Sequence, residues 1–122
     1  MQETRIVSYK DLIVWQKSMD LAVEIYRLTE DFPKTEMYGL TSQMRRSVIS
    51  IASNIAEGKT RGTKRDYRSF VVIAFASGAE LETQIELAKR LFFDQNFNFE
   101  KIDLLLGEIM RMLNSLKYKL AI

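Results

Sequence analysis

Residues 48–62 read VISIASNIAEGKTRG, and the fold turns on how they are understood. Val48, Ile51 and Ile55 recur at three- and four-residue spacing with Ile49, Ala52 and Ala56 beside them, the pattern of the inner stripe of an amphipathic helix. Ser50, Ser53, Asn54 and Glu57 interrupt that stripe with a polar group, and Gly58, Lys59, Thr60, Arg61 and Gly62 then make a basic turn between two glycines. Gly58 is read as the stop of the helix, because glycine tolerates the backbone that follows a helix C-terminus. So short a connection obliges the next helix to return antiparallel. One helix pair therefore lies before this stretch and a second after it.

On the N-terminal side, Leu40, Met44 and Val48 carry the stripe backwards, and the spacing predicts a helix over residues 36–58 with Gly39 inside it or at its edge, Glu36, Met37 and Tyr38 being either its first turn or a short helical turn of their own. Thr41 or Ser42 would cap it if Gly39 breaks it. Further upstream, Leu12, Trp15, Met19, Ala22 and Tyr26 predict a helix over residues 11–30, widened by Leu21, Ile25 and Leu28 and ended by Phe32-Pro33. Residues 1–10 read as an irregular lead-in.

On the C-terminal side, Thr63 is a helix cap with Asp66 three residues on. Tyr67, Val71, Ala74, Gly78, Leu81, Ile85, Ala88 and Phe92 then step alternately by four and three, giving a helix over residues 63–92. Asp94, Gln95 and Asn96 break it. Ile102, Leu105, Leu106, Ile109, Met112, Leu113, Leu116 and Leu120 give the last helix, over residues 99–119, with Gly107 inside it. Four helices with three short connections form a single all-α domain, an antiparallel up-down-up-down four-helix bundle.

At 122 residues the chain suffices for one hydrophobic core, and its 5 glycines and 1 proline suit long helices. It has no cysteine and no histidine, which removes disulfides, thiolate metal sites and the commonest general base. No nucleophile–base arrangement or phosphate loop can be assembled, so no enzyme activity, cofactor or metal is expected. The N-terminus lacks a secretory pattern and no apolar run is long enough for a membrane span, so a cytoplasmic protein is the expectation.

The net charge of +2 is unevenly spread. Lys and Arg number 5 against 7 Asp and Glu over residues 1–38, 7 against 2 over residues 39–68, and 6 against 7 over residues 69–122. The basic excess is central. Arg61, Lys64, Arg65 and Arg68 share one face across the turn and the next helix start, and Arg45, Arg46 and Lys59 extend the patch if they project from the same end. Converging cations can bind RNA or DNA phosphates without reading bases, whereas a solvated helix face is the ordinary explanation. Ser50, Ser53, Asn54 and Glu57 read as a structural polar network, with Asn54 and Glu57 bonding across a helix groove. Trp15, Tyr26, Phe70 and Phe75 read as core or subunit-interface residues.

Three segments carry a likeness: DLIVWQKSMDLAVEIY at residues 11–26, FPKTEMYGLTSQMRRSVISIASNIAEG at 32–58, and FASGAELETQIELAKRL at 75–91. They closely resemble the 23S ribosomal RNA intervening sequence proteins, and more distantly the accessory proteins of diversity-generating retroelements. The specific elements are SNIAEG and a GSxxELxTQ-like stretch; Ser77 stands at the serine of the latter, with Ala76 where the family more often has glycine. The resemblance implies a bacterial cytoplasmic four-helix bundle assembled as a homo-oligomer, a ring-shaped homopentamer, and implies no established reaction. The expected function is a non-enzymatic oligomeric bundle that binds RNA or DNA electrostatically. The alternative is a structural or protein-interaction scaffold with a protein partner.

Overall fold

The computed structural model describes residues 8–121, so the first seven residues of the expected lead-in lie outside the described residues. Ser8 opens a short 3-10 turn, Tyr9–Asp11, through a reciprocal cap: the Asp11 carboxylate accepts the Ser8 N–H at 3.0 Å and Ser8 Oγ accepts the Lys10 N–H at 3.1 Å. Four helices follow, α1 (Ile13–Glu30), α2 (Leu40–Thr60), α3 (Lys64–Leu91) and α4 (Glu100–Lys119), and regular structure among the described residues is all helical. Helix α2 packs on α1 and α3, and α4 packs on the same two from the other side, giving the up-down-up-down bundle.

The core is one cluster fed by all four helices. Helix α3 contributes Val71, Ala74, Leu81, Ile85 and Ala88, with Phe92 just beyond its end, and α4 contributes Ile102, Leu106, Ile109 and Leu113. Each fully buried Leu or Ile stabilises the fold by roughly 1.5–3 kcal/mol. Helix α1 departs from the expected stripe. Its buried positions are Val14, Ser18, Leu21, Ile25 and Thr29, while Met19 and Tyr26 are exposed. Ser18 and Thr29 enter the core because each hydroxyl donates to the carbonyl one turn back, Val14 and Ile25, at 2.7 Å, which removes the cost of burying an unpaired polar group.

The second helix begins later than expected. Lys34–Glu36 form a separate 3-10 turn, Gly39 is non-helical, and the Glu36 carboxylate rather than Thr41 or Ser42 meets the first free amide, Leu40 N–H, at 3.3 Å. The helix also ends later, because Gly58 is buried inside α2 instead of stopping it. A Cβ at Gly58 would lie 2.7 Å from Phe70 Cβ, so the absent side chain lets α2 and α3 close together. The turn itself belongs to Gly62, whose φ of 89° favours glycine.

At the opposite end of the bundle the α3–α4 connection folds back onto the core. The Phe97 ring centroid lies 5.1 Å from that of Phe32 and 5.7 Å from that of Phe92, which turns a polar break into an aromatic plug.

Candidate nucleic-acid interface

The turn between α2 and α3 gathers five cations at one end of the bundle. Thr63 sets the start of α3 by accepting the Asp66 N–H at 3.1 Å, and this places Lys64 and Arg65 in the first helical turn, both exposed. Arg68, one turn further, is half-buried, and its Nε has no hydrogen-bond partner among the described residues. Arg61 lies across the turn with its guanidinium 5.0 Å from the Phe70 ring centroid and Nη2 3.1 Å from Glu57 Oε1. Lys59 holds its ammonium 5.5 Å from the Tyr67 ring centroid. These aromatic platforms fix the stems of Lys59 and Arg61 while leaving cationic charge at the surface. Burial raises the Tyr67 phenol above its ordinary pKa of 10.0, so it stays a neutral hydroxyl beneath this cluster.

Arg45 and Arg46 do not join that cluster. About 15 residues of helix separate Arg46 from Arg61, roughly 22 Å of rise. Arg45 instead ties α2 to α1, with Nε donating to Thr29 Oγ1 at 2.9 Å and the guanidinium 4.5 Å over the Tyr26 ring. Arg46 is exposed beside Tyr38 and Ile49. The antiparallel topology brings other cations to the basic end, because α4 finishes there. Arg111 and Lys119 share a cleft with Tyr67, and Lys117 lies 4.9 Å from the Phe75 ring centroid. Their place follows from the alternating helix directions, a signal present in the sequence pattern but carried by no local motif.

The polar residues of α2 divide similarly. Asn54 Nδ2 donates to the Ser50 carbonyl and Oγ at 2.8 and 3.0 Å, and Ser50 Oγ lies 2.8 Å from Ser77 Oγ on α3. One turn away, Ser47 Oγ donates to Glu80 Oε1 at 2.8 Å. Ser53 is exposed, and Glu57 pairs with Arg61 rather than Asn54. Ser47, Ser77 and Glu80 are the members that sequence reading left out. The resulting seam of small hydroxyls and one carboxylate sets the register of α2 on α3. Among the described residues no group of three or more acidic side chains is placed to hold a metal ion, and no helix is long and apolar enough to cross a membrane.

Comparison with known proteins agrees with this architecture. The sequence profile of the 23S rRNA-intervening sequence protein family matches residues 10–115, and the chain belongs to that family. A crystal structure of a protein of unknown function from the S23 ribosomal protein family of Bacteroides thetaiotaomicron is similar, with a TM-score of 0.77 and 27% identity, over 87% of this chain and 96% of that one. No curated protein matches the chain.

Proposed function

We propose that this protein is a non-enzymatic, self-associating helical bundle of the bacterial cytoplasm that binds RNA or DNA phosphates through the α2–α3 turn. The observation that carries this reading is the convergence of Lys59, Arg61, Lys64, Arg65 and Arg68 at one end, with Lys64 and Arg65 exposed and making no ion pair among the described residues. Cations held on a rigid turn bind phosphate oxygens with little reading of base edges. Self-association is supported by apolar side chains left exposed on outer faces, including Met19, Val23, Ile73, Leu87 and Leu104. A ring of five, the assembly implied by the family resemblance, would repeat the basic turn around an axis and strengthen its field.

Salt titration of binding to several unrelated RNA and DNA sequences tests the site. A Lys64→Gln/Arg65→Gln/Arg68→Gln variant weakens binding to all of them and makes the salt dependence shallower by about 2 to 3 units. Lys34→Gln/Arg90→Gln/Lys101→Gln removes equal charge at the far end and serves as the control. Absence of binding at low salt, or equal losses in both variants, rejects the interface.

The scaffold reading is favoured by one specific feature. Met37, Tyr38 and Ile49 are exposed around Arg45 and Arg46, with Tyr26 beside them, a composition typical of protein contact sites. Capture of the tagged protein followed by parallel identification of RNA and protein distinguishes the two.

A further inference from the structure

We propose that the cleft between the start of α1 and the last turns of α4 binds a small amphipathic carboxylate, a molecule with an aliphatic or aryl body and one anionic end. The cleft has a volume of about 380 Å³, within the range of small-molecule sites. Leu12, Ile13 and Val14 form one wall, and Met112 and Leu116 form the floor. Along the opposite rim, Arg111, Ser115 and Lys119 follow one another at four-residue spacing, so their side chains share one side of α4. Tyr67 from α3 completes the lining.

The chemistry of this lining is one-sided. It holds two cations and two hydroxyls against an apolar wall and floor, and it contains no carboxylate. Arg111 and Lys119 make no ion pair among the described residues, in contrast to Lys17, Lys89 and Lys101, which pair with Glu108, Asp103 and Glu24. Ile13 is 60% exposed at the edge of the cleft, an apolar group that an aliphatic body would cover. A neutral apolar ligand would leave the cations unused, and a cation would meet repulsion. A monoanion with an apolar body lays that body on the wall and floor and sets its carboxylate at one end of the rim, against Arg111 or Lys119.

Size limits the occupant as well. From Arg111 to Lys119 the rim rises roughly 12 Å, which suits a medium-length aliphatic chain. The inference does not rest on nucleic-acid binding, because the lining excludes Lys64, Arg65 and Arg68.

The test uses the full chain, decanoate as probe, and decanol and decylamine as neutral and cationic counterparts. Calorimetry is combined with the emission of Trp15, the single tryptophan, one residue from Val14 and in edge contact with the Tyr9 ring at 5.3 Å. Decanoate is expected to bind saturably at one per chain, about tenfold more tightly than decanol, with no binding of decylamine. Arg111→Gln/Lys119→Gln raises the decanoate Kd about tenfold and Ser115→Phe blocks the cleft, while Lys64→Gln/Arg65→Gln leaves binding unchanged. All three substituted rim residues are exposed, and circular dichroism with a urea midpoint verifies that each variant folds. Four results overturn the proposal: no saturable binding, equal affinity for decanoate and decanol, unaltered binding in either cleft variant, or equal loss in the Lys64/Arg65 variant. A stoichiometry below one per chain, with a change in oligomer mass, assigns the site to a contact between copies and also overturns it.

Discussion

Replacing Gly58 by alanine should destabilise the bundle even though alanine is the better helix former by roughly 1 kcal/mol. A Cβ at this position would meet Phe70 Cβ at 2.7 Å, Tyr67 Cδ1 at 3.2 Å and the Tyr67 carbonyl oxygen at 3.3 Å. Phe70 Cβ and the carbonyl are fixed to the α3 backbone, so relief requires the two helices to part. Overpacking of this kind costs about 1–3 kcal/mol, which leaves a net loss near 1 kcal/mol after the gain in helix propensity. Gly107→Ala is the same chemical change inside α4, but its nearest neighbour is the flexible Arg111 Nη1 at 3.4 Å. There the propensity gain survives, and the variant should be more stable by about 0.5–1 kcal/mol. Gly62→Ala meets nothing within 4 Å, yet should lose about 1 kcal/mol because its φ of 89° is unfavourable for a residue with a Cβ. Urea unfolding followed by circular dichroism separates the three. With a denaturant slope of about 2 kcal/mol per molar, each 1 kcal/mol moves the midpoint by about 0.5 M. Protomer concentration must be held constant, since association would itself shift the midpoint. A Gly58→Ala midpoint at or above that of the unmodified protein would refute the close approach of α2 and α3.

Phe97→Ala should lower stability by about 2–4 kcal/mol because the ring packs against both Phe32 and Phe92, whereas Phe93→Ala, at an 82% exposed position, should change it little; comparable melting temperatures for the two variants would contradict the aromatic plug. Burial holds the Tyr67 phenol above 10.0, so the folded chain retains a proton that the unfolded chain releases. Its contribution to stability is therefore intact below about pH 10 and falls as pH rises from there through the folded-state pKa. Tyr67→Phe should show a shallower alkaline loss in urea unfolding between about pH 9 and pH 11, and an identical slope would remove Tyr67 as the cause.

The α3 seam was fully legible in the sequence because its buried residues are apolar or glycine at unbroken four- and three-residue steps. Helix α1 was legible as a helix but not in its rotation. Ser18 and Thr29 look like surface residues until their hydroxyls are paired one turn back, while Met19 and Tyr26 look like core residues until the neighbouring helices turn elsewhere. Gly58 is ambiguous for a related reason. A glycine that ends a helix and one that admits a neighbouring helix have the same local sequence, and the distinction lies in Phe70 across the interface. The cations of the α2–α3 turn were readable because they are neighbours in the chain. Net charge groups Arg45 and Arg46 with them, but helix rise carries both to the other end. Ser77 and Glu80, the α3 partners of the α2 polar residues, required the register between two helices, which no single stretch specifies.

Charge placement along the helices distinguishes the basic residues that serve the fold from those that do not. Lys59, Lys117 and Lys119 occupy the last turns of α2 and α4, where the negative end of the macrodipole favours cations. Helix stability by itself favours a cation at each of these positions. Lys64 and Arg65 occupy the first turn of α3, where that field favours anions and only Asp66 complies. Two adjacent cations at this position work against helix stability, and such local conflicts concentrate at functional sites. Lys64→Glu/Arg65→Glu should therefore stabilise the bundle by about 0.5–2 kcal/mol while weakening binding to RNA and DNA. Urea midpoints at low salt measure the first effect, and it should shrink as salt screens the dipole. Salt titration of binding measures the second. A fall in the midpoint would show that both residues support the fold through contacts of their own, and unchanged affinity would separate their unfavourable placement from nucleic-acid recognition.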